Sequence, residues 1–292
     1  MNKSAPLAED RYFLSADGLR LHYLEWRGAG HESRTPVVCL AGLTRSSEDF
    51  RALAGALAAQ GRRVLALDCR GRGESQWDPD YSHYTLDVER NDILRLLHET
   101  GVAQADFIGT SRGGLHTMLL AQARPGLVRA AVLNDVGPQI NLDGLLGIKR
   151  YVGRLPPLNS IEDAIGLMRL SAGATFSSMT MEQWRIFAQQ SFTQKEGKVV
   201  LRYDPALSHT LDDVRPDWTP IEYWDAFLAL TQGPLLTLRG ENSDILTPEI
   251  LAEMAARAPA MEIHIVPGQG HPALLLDDET IARILRFFAL HG

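Results

Sequence analysis

The segment Gly109-Thr110-Ser111-Arg112-Gly113-Gly114 holds the residues best suited to chemistry in this chain. It joins an apolar stretch typical of a buried strand to a helical pattern over Arg112–Ala123. A serine at a sharp strand-to-helix turn exposes its hydroxyl, and glycines two positions away on each side let neighbouring backbones approach. The helix N-terminus also favours developing negative charge. The segment therefore predicts Ser111 as a nucleophile, and the alternative is a glycine-rich turn that only connects two elements.

A serine nucleophile needs a general base, and His271 is the best candidate among nine histidines. It lies in a glycine-rich loop, Pro267–Pro272, directly after the last strand-like segment, and loops at strand ends often carry catalytic residues. The histidines inside or near the ends of predicted helices and strands are better explained as structural ones: His98, His116 and His264. His83 and His209 stay open as weaker alternatives.

The acid that orients the base should also follow a strand. Asp244 follows the strand-like segment Leu235–Leu238, and it gives the chain order Ser, Asp, His that a nucleophile-elbow hydrolase shows. Asp135 closes the preceding strand and is the main alternative, while Asp244 could instead be an acid at the start of a helix. We predict Asp244 as the orienting acid.

Acyl transfer also needs two backbone N–H donors for the oxyanion. One is expected from Arg112, immediately after the nucleophile. The other is expected from the loop after the strand Val37–Leu40, with Leu43 as the best candidate.

The elements that must position these residues follow a regular order. Two strand-like segments, Arg11–Ala16 and Leu19–Trp26, flank an Asp17-Gly18 turn and predict a hairpin, and a loop follows from Arg27 to Pro36. Short apolar runs then alternate with helical patterns. The predicted strands are Val37–Leu40, Val64–Leu67, Asp106–Gly109, Ala130–Leu133, Leu235–Leu238 and Glu262–Val266. The predicted helices are Glu48–Gln60, Leu86–Thr100, Arg112–Ala123, Pro248–Arg257 and Glu279–Leu290.

This alternation predicts an α/β fold whose mostly parallel sheet has helices on both faces. It breaks over residues 138–232, which show helical patches without an apolar strand run. We therefore predict a core domain of residues 1–137 and 233–292 and a helical cap of residues 138–232, inserted before the last two strands. Ligands bind at the carboxyl ends of such strands, so the cap would cover the site. From its aromatic residues we expect substrate contacts with Tyr151, Trp184 and Trp224.

Four motifs in this order resemble the α/β-hydrolase fold superfamily over nearly the whole chain. Beside the serine motif, Asp68–Ser75 resembles the D-x-R-G-x-G-x-S loop of that superfamily, Leu40-Ala41-Gly42 stands where it usually has His-Gly, and Pro267–His271 resembles its catalytic-histidine loop. The resemblance implies a serine esterase or lactonase with a cap.

The chain departs from the pattern of that superfamily at two places. Ala41 replaces the usual histidine, and Arg112 occupies a position that is more often apolar, with Arg45 nearby in the sequence. The two guanidiniums could recognise a substrate carboxylate. They could also pair with local acids such as Glu48, Asp68 or Asp135, which is the interpretation we favour.

The predicted reaction is hydrolysis of a small carboxylic ester or lactone through an acyl-enzyme on Ser111. The alternative is a carbon–carbon bond hydrolase or lyase that uses the same three residues, and a non-catalytic ligand receptor is less favoured. No metal or organic cofactor is needed for this chemistry.

Composition limits the partners. The net charge of −7 and the pI near 5.7 disfavour nucleic acid and anionic membrane surfaces. The two cysteines, Cys39 and Cys69, lie in or next to apolar runs and show no disulfide or zinc spacing. The first residues lack the apolar region of a secretory signal, so we expect a cytoplasmic protein that binds a small-molecule substrate, as a monomer or homodimer.

Overall fold

A computed structural model describes residues 7–28 and 34–291. The strands in these ranges are β1 Glu9–Leu14, β2 Arg20–Trp26, β3 Val37–Leu40, β4 Val64–Asp68, β5 Ala105–Thr110, β6 Val128–Asn134, β7 Phe192–Lys195, β8 Lys198–Leu201, β9 Leu235–Gly240 and β10 Glu262–Val266. The α-helices are α1 Arg51–Ala59, α2 Leu86–Glu99, α3 Arg112–Ala123, α4 Leu142–Lys149, α5 Ile161–Ala172, α6 Met181–Ser191, α7 Trp224–Leu230, α8 Pro248–Arg257 and α9 Asp278–His291. Short 3₁₀ helices cover Ser47–Phe50, Tyr81–His83 and Pro205–Leu211.

Eight strands form one sheet in the order β1-β2-β4-β3-β5-β6-β9-β10. Strand β2 runs antiparallel to both of its neighbours. The other neighbouring strands of this sheet, β4, β3, β5, β6, β9 and β10 in that order, are parallel to one another. The predicted fold class, a mostly parallel sheet with helices, is confirmed. All of the parallel strands therefore end at the same edge of the sheet, where loops that follow β3, β5, β6, β9 and β10 meet.

Helices cover both faces of the sheet, and this explains the continuous apolar runs. Val37 and Cys39 of β3 pack into a core with residues of α1 and α9, whereas Val38 and Leu40 pack into the opposite core with residues of α2. Successive strand side chains point to opposite faces, so each strand residue here must be apolar. Burying one such side chain stabilises the fold by about 1.5–3 kcal/mol.

Most predicted elements are present with small shifts at their ends. Helix α8 and strand β10 have the predicted bounds, whereas the helix expected from Glu48 begins as a 3₁₀ turn and becomes α-helical at Arg51. The predicted hairpin pairs Leu14 with Arg20 across its turn. Part of the loop predicted from Arg27 to Pro36, residues 29–33, lies outside the described residues.

The insertion between β6 and β9 contains α4 to α7 and a two-stranded hairpin of β7 and β8 that we did not predict. The hairpin turns at Glu196 and Gly197, which have φ angles of 51° and 77°. Two positive φ angles match the type I′ turn that two-residue hairpins prefer. Strand β7 is largely exposed and has no apolar run, and the apolar run of β8 is only three residues long, Val199 to Leu201, which is too short a signal to predict a strand. Whether residues 138–232 form a separate domain stays a prediction. In the described ranges, every helix is too short or too polar to span a membrane.

Candidate active site

Ser111 lies at the turn between β5 and α3, with a positive φ of 51°. The turn brings backbones so close together that only glycine fits on either side. A Cβ atom on Gly109 would lie 2.5 Å from the carbonyl oxygen of Gly113, and one on Gly113 would overlap the carbonyl oxygen of Leu40. The glycine spacing thus holds the serine in a conformation that L-residues rarely adopt.

The predicted nucleophile and base are in contact. The Oγ of Ser111 lies 2.9 Å from Nε2 of His271, which belongs to the loop after β10. The His271 side chain is 7% exposed, so little water competes for its hydrogen bonds. With its other nitrogen paired to an acid, the imidazole has the geometry of a base that accepts a proton from Ser111.

That acid is Asp135, and our prediction of Asp244 is corrected here. The Nδ1 of His271 lies 2.7 Å from Oδ2 of Asp135, whose side chain is fully buried. Asp244 is exposed and lies in the wall of the neighbouring cavity. The alternative that we considered for the orienting acid is therefore the residue that contacts the histidine.

The strand order explains why Asp135 occupies this place. Strand β6 lies between β5 and β9, so Asp135 follows the strand next to the one that carries Ser111. Its φ of 59° turns the chain directly after β6. The carboxylate accepts further hydrogen bonds from the N–H of Gly240, at 3.0 Å, and from the hydroxyl of Ser243, at 2.7 Å. Ser243 thus points inward to this carboxylate, whereas its neighbour Asp244 is exposed.

Asn134 ties the three loops of the site together. Its side-chain amide donates to Oγ1 of Thr110, at 3.1 Å, and to the carbonyl of Ala273, at 2.8 Å. Thr110 precedes the nucleophile, and Ala273 follows the base by two residues. Sequence reasoning identified neither Asn134 nor Ser243, because an amide or hydroxyl next to a candidate acid carries no signal of its own.

The two N–H groups expected to bind an oxyanion have no acceptor among the described residues. Neither Leu43 nor Arg112 donates a backbone hydrogen bond to another described group. Arg112 is the first residue of α3, and N–H groups in the first turn have no partner within their helix. The loop of Leu43 is close to the nucleophile, since a Cβ atom on Gly42 would lie 3.6 Å from Cβ of Ser111. Their role toward an oxyanion stays a prediction.

A cavity of about 470 Å³ opens beside Ser111 and His271. The insertion and the loop after β3 supply most of its wall, which is mainly apolar. The larger apolar and aromatic side chains in the wall are Leu43, Ile148, Tyr151, Leu155, Leu167, Met168, Phe176, Phe187, Phe192, Leu201, Tyr203, Leu274 and Leu275. This volume is that of an ordinary small-molecule site.

Of the three aromatic residues predicted to contact substrate, only Tyr151 lines the cavity. Its side chain is 56% exposed, and its hydroxyl offers a neutral hydrogen-bond donor to the cavity. Trp184 is 3% exposed and packs edge-on against Phe176 inside the insertion. Trp224 begins α7 and lies under the guanidinium of Arg257, whose Cζ is 3.9 Å from the ring centroid. The predictions for Trp184 and Trp224 were wrong because both rings stabilise packing away from the cavity.

The two arginines near the site both pair with acids, as we favoured, but with different acids from those we named. Arg45 lines the cavity and binds Asp49 through Nε, at 2.8 Å, and Nη2, at 2.5 Å. It also donates to the hydroxyl of Ser191. Burial raises the pKa of Asp49 despite the charge of Arg45. The Nε of Arg112 donates to Glu89 at 2.7 Å.

The other candidate histidines have partners elsewhere. His83 lies 3.1 Å from a carboxylate oxygen of Asp78, and His209 stacks on Tyr81. His116 is buried and lies 2.8 Å from Glu89. None of the three contacts Ser111 in the described part of the chain.

One group of potential metal ligands occurs in the described ranges, formed by Asp17, Asp78 and His83. The Nη1 of Arg70 already lies 2.9 Å from Asp17 and 2.6 Å from Asp78. A guanidinium that shares both carboxylates supplies the positive charge that a cation would bring. The group is therefore an ion-pair cluster.

The chain is similar to known hydrolases in both sequence and structure. Residues 37–284 match the profile of the alpha/beta hydrolase family. The chain is 34% identical over 283 residues to a 3-hydroxybutyrate-oligomer hydrolase of Cupriavidus necator, covering 94% of this chain and 95% of that one. It is 26% identical to a 2-(acetamidomethylene)succinate hydrolase of Mesorhizobium japonicum, over 93% of both chains. A crystal structure of an alpha/beta hydrolase from Novosphingobium aromaticivorans superimposes with a TM-score of 0.90 at 38% identity, covering 98% of this chain and 99% of that one.

Proposed function

Since the chain belongs to the alpha/beta hydrolase family, we propose that it is a serine-dependent hydrolase of carboxylic esters that works through an acyl-enzyme on Ser111. The observation that supports this most directly is the continuous relay from Ser111 through His271 to Asp135, with contacts of 2.9 and 2.7 Å. A hydroxyl, an imidazole and a buried carboxylate in this order form the arrangement that activates serine for acyl transfer.

The reaction would proceed in two halves. His271 accepts the proton of Ser111 as its Oγ attacks the ester carbonyl, and Asp135 stabilises the resulting imidazolium. The oxyanion is held by the N–H groups of Leu43 and Arg112. His271 then protonates the leaving alkoxide, and afterwards it activates a water molecule that releases the acid and restores Ser111.

The first substrates to test are short esters of hydroxy acids. The relative from Cupriavidus necator is named for 3-hydroxybutyrate oligomers and aligns over nearly the full length of both chains. The cavity suits such a molecule because its wall is mainly apolar, with Tyr151 and Arg45 among the polar residues that line it. Lactones of similar size belong to the same proposal, since their ring opening uses the same steps.

The proposal is tested by hydrolysis of p-nitrophenyl esters from acetyl to octanoyl and of linear 3-hydroxybutyrate dimers and trimers. Wild type is compared with Ser111→Ala and His271→Ala, and with Ser82→Ala and His98→Ala as matched changes at exposed positions. We expect activity to fall by about 10⁴-fold or more in the first pair, because residues of such a relay act as a unit. The second pair should equal wild type.

Labelling by a fluorophosphonate separates the remaining outcomes. Labelling of Ser111 without ester hydrolysis, together with cleavage of a ring-opened diketone, would favour the carbon–carbon bond hydrolase. Ligand binding with no labelling and no hydrolysis would contradict the proposal and favour a receptor on this fold.

A further inference from the structure

The carboxylate of Glu89, on α2, is fully buried and accepts three hydrogen bonds. The donors are Nη1 of Arg72 at 2.6 Å, Nε of Arg112 at 2.7 Å and Nε2 of His116 at 2.8 Å. A buried carboxylate with three donors has a fixed position, since moving it would leave charged groups unpaired. Glu89 is therefore a rigid anchor for whatever these donors hold.

Arg72 connects this anchor to the loop after β3. Its side chain is 1% exposed, and its Nε donates to the carbonyl oxygen of Leu43 at 2.8 Å. Its Nη1, which binds Glu89, also donates to the carbonyl oxygen of Arg70 at 2.7 Å. The planar guanidinium thus bridges a carboxylate on one element and a backbone carbonyl on another.

Both residues assigned to the oxyanion site are therefore connected to the carboxylate of Glu89. Arg112 reaches Glu89 directly through its side chain, and Leu43 reaches it through Arg72. We propose that Glu89 and Arg72 are positioning residues that hold the N–H donors of Leu43 and Arg112 in the geometry that binds the oxyanion. This inference rests on the proposed function, because it concerns the same reaction at the same site.

The physical reason is that an oxyanion site works only when its donors are oriented beforehand. The hydrogen bond from Arg72 restricts rotation of the Leu43 backbone, and the ion pair from Arg112 fixes the first turn of α3. Burial alone would raise the pKa of Glu89, but Arg112, Arg72 and His116 lower it well below its usual range. Glu89 thus stays ionised at every pH at which the relay could work.

The decisive variant is Arg72→Lys. A lysine keeps the charge beside Glu89, but a single ammonium cannot replace the planar bridge to the Leu43 carbonyl. Removing one oxyanion donor typically costs about 10²–10³-fold in kcat. We expect displacement of one donor to lower kcat by about 10–100-fold, with KM changed by less than about threefold. Binding of a trifluoromethyl ketone, which forms a tetrahedral oxyanion on serine, should weaken by the same factor as kcat/KM.

Arg70→Lys is the matched control. Arg70 is also 1% exposed and lies two residues away, but its side chain binds Asp92, Asp78 and Asp17. Both lysine variants lose a buried guanidinium, so their unfolding midpoints should fall by similar amounts. Only Arg72→Lys should lose kcat and inhibitor affinity, and both should bind the carboxylic acid product as wild type does.

Glu89→Gln extends the test where it folds, and it should show the same loss of kcat and of ketone affinity. Equal kcat and equal ketone affinity in Arg72→Lys and Arg70→Lys would overturn the inference. So would a loss of ketone affinity matched by an equal loss of product affinity, which would indicate a general distortion. A wild type that the ketone does not inhibit would instead contradict the proposed function.

Discussion

At the scale of single residues, the site depends on which acid meets His271. Asp135 contacts the base, and its carboxylate also accepts hydrogen bonds from Gly240 and Ser243. Asp244 lies one residue beyond Ser243 but belongs to the wall of the cavity. Two aspartates that both follow a strand thus have different environments. Substitution of Asp135 should affect the orientation of His271, whereas substitution of Asp244 should affect the binding of substrate.

We expect Asp135→Asn to lower kcat by about 10³–10⁴-fold, because an amide can no longer hold the histidine tautomer that accepts the serine proton. Asp244→Asn should change kcat by less than about threefold, with any effect in KM. Steady-state hydrolysis of a p-nitrophenyl ester checks both variants. Full activity of Asp135→Asn with loss in Asp244→Asn would reverse the assignment.

The sequence predicts Ser111 and His271 because each has a local signal, a glycine spacing or a glycine-rich loop after a strand. The choice between Asp135 and Asp244 depends on which strand lies next to β5, and the order of strands in a sheet is a long-range property. Glu89 gives no signal either. It lies in an amphipathic helical pattern, where a glutamate is most often a solvated residue.

At the scale of elements, α4 shows how the insertion is fitted to the core. Two of its residues are glycines with different surroundings. A Cβ atom on Gly144 would overlap the backbone carbonyl of Asp244, whereas the nearest atom to one on Gly147 would be 3.9 Å away, a carboxylate oxygen of the same residue. The first glycine allows α4 to lie directly against the loop after β9, and that loop also carries Ser243.

Substitution of the two glycines by alanine should therefore have opposite effects on stability. Gly147→Ala should raise the free energy of unfolding by about 0.5–1 kcal/mol, because it removes backbone freedom in a helix without a collision. Gly144→Ala should lower the free energy of unfolding by about 1–3 kcal/mol. It should also lower kcat, because the displaced loop carries Ser243, which donates a hydrogen bond to Asp135. Urea denaturation and ester hydrolysis measure the two quantities, and a stabilised Gly144→Ala would contradict this packing.

At the scale of the whole molecule, polar side chains join neighbouring strands of the sheet. His22 on β2 illustrates this, because its Nδ1 lies 2.8 Å from Asp68 at the end of β4, and its Nε2 lies 3.0 Å from Asp10 on β1. Burial would lower the pKa of His22, but the two carboxylates outweigh it and raise the pKa above its usual value. The side chain of His22 thus links three neighbouring strands.

The sign of the resulting pH dependence follows from the raised pKa. A histidine that holds its proton more tightly when folded contributes stability that is complete below its unfolded pKa of about 6.5 and is lost as pH rises through the folded pKa. We expect the free energy of unfolding of wild type, measured in urea, to lose this contribution between about pH 6.5 and the folded pKa. His22→Gln should lack it, and His98→Gln, at an exposed helix end, should behave as wild type. Parallel pH profiles for wild type and His22→Gln would contradict the link.

The wide spacing of the relay along the chain also bears on when the protein becomes reactive. Ser111 and His271 are 160 residues apart, and Asp135 and His271 are 136 apart. During synthesis the elbow and its strand leave the ribosome long before β10 and its loop exist, so a nascent chain would carry an unactivated serine. Reactivity would begin only when the last strand docks. Recovery of fluorophosphonate labelling during refolding would accordingly report completion of the C-terminal part of the sheet, later than signals from helix formation.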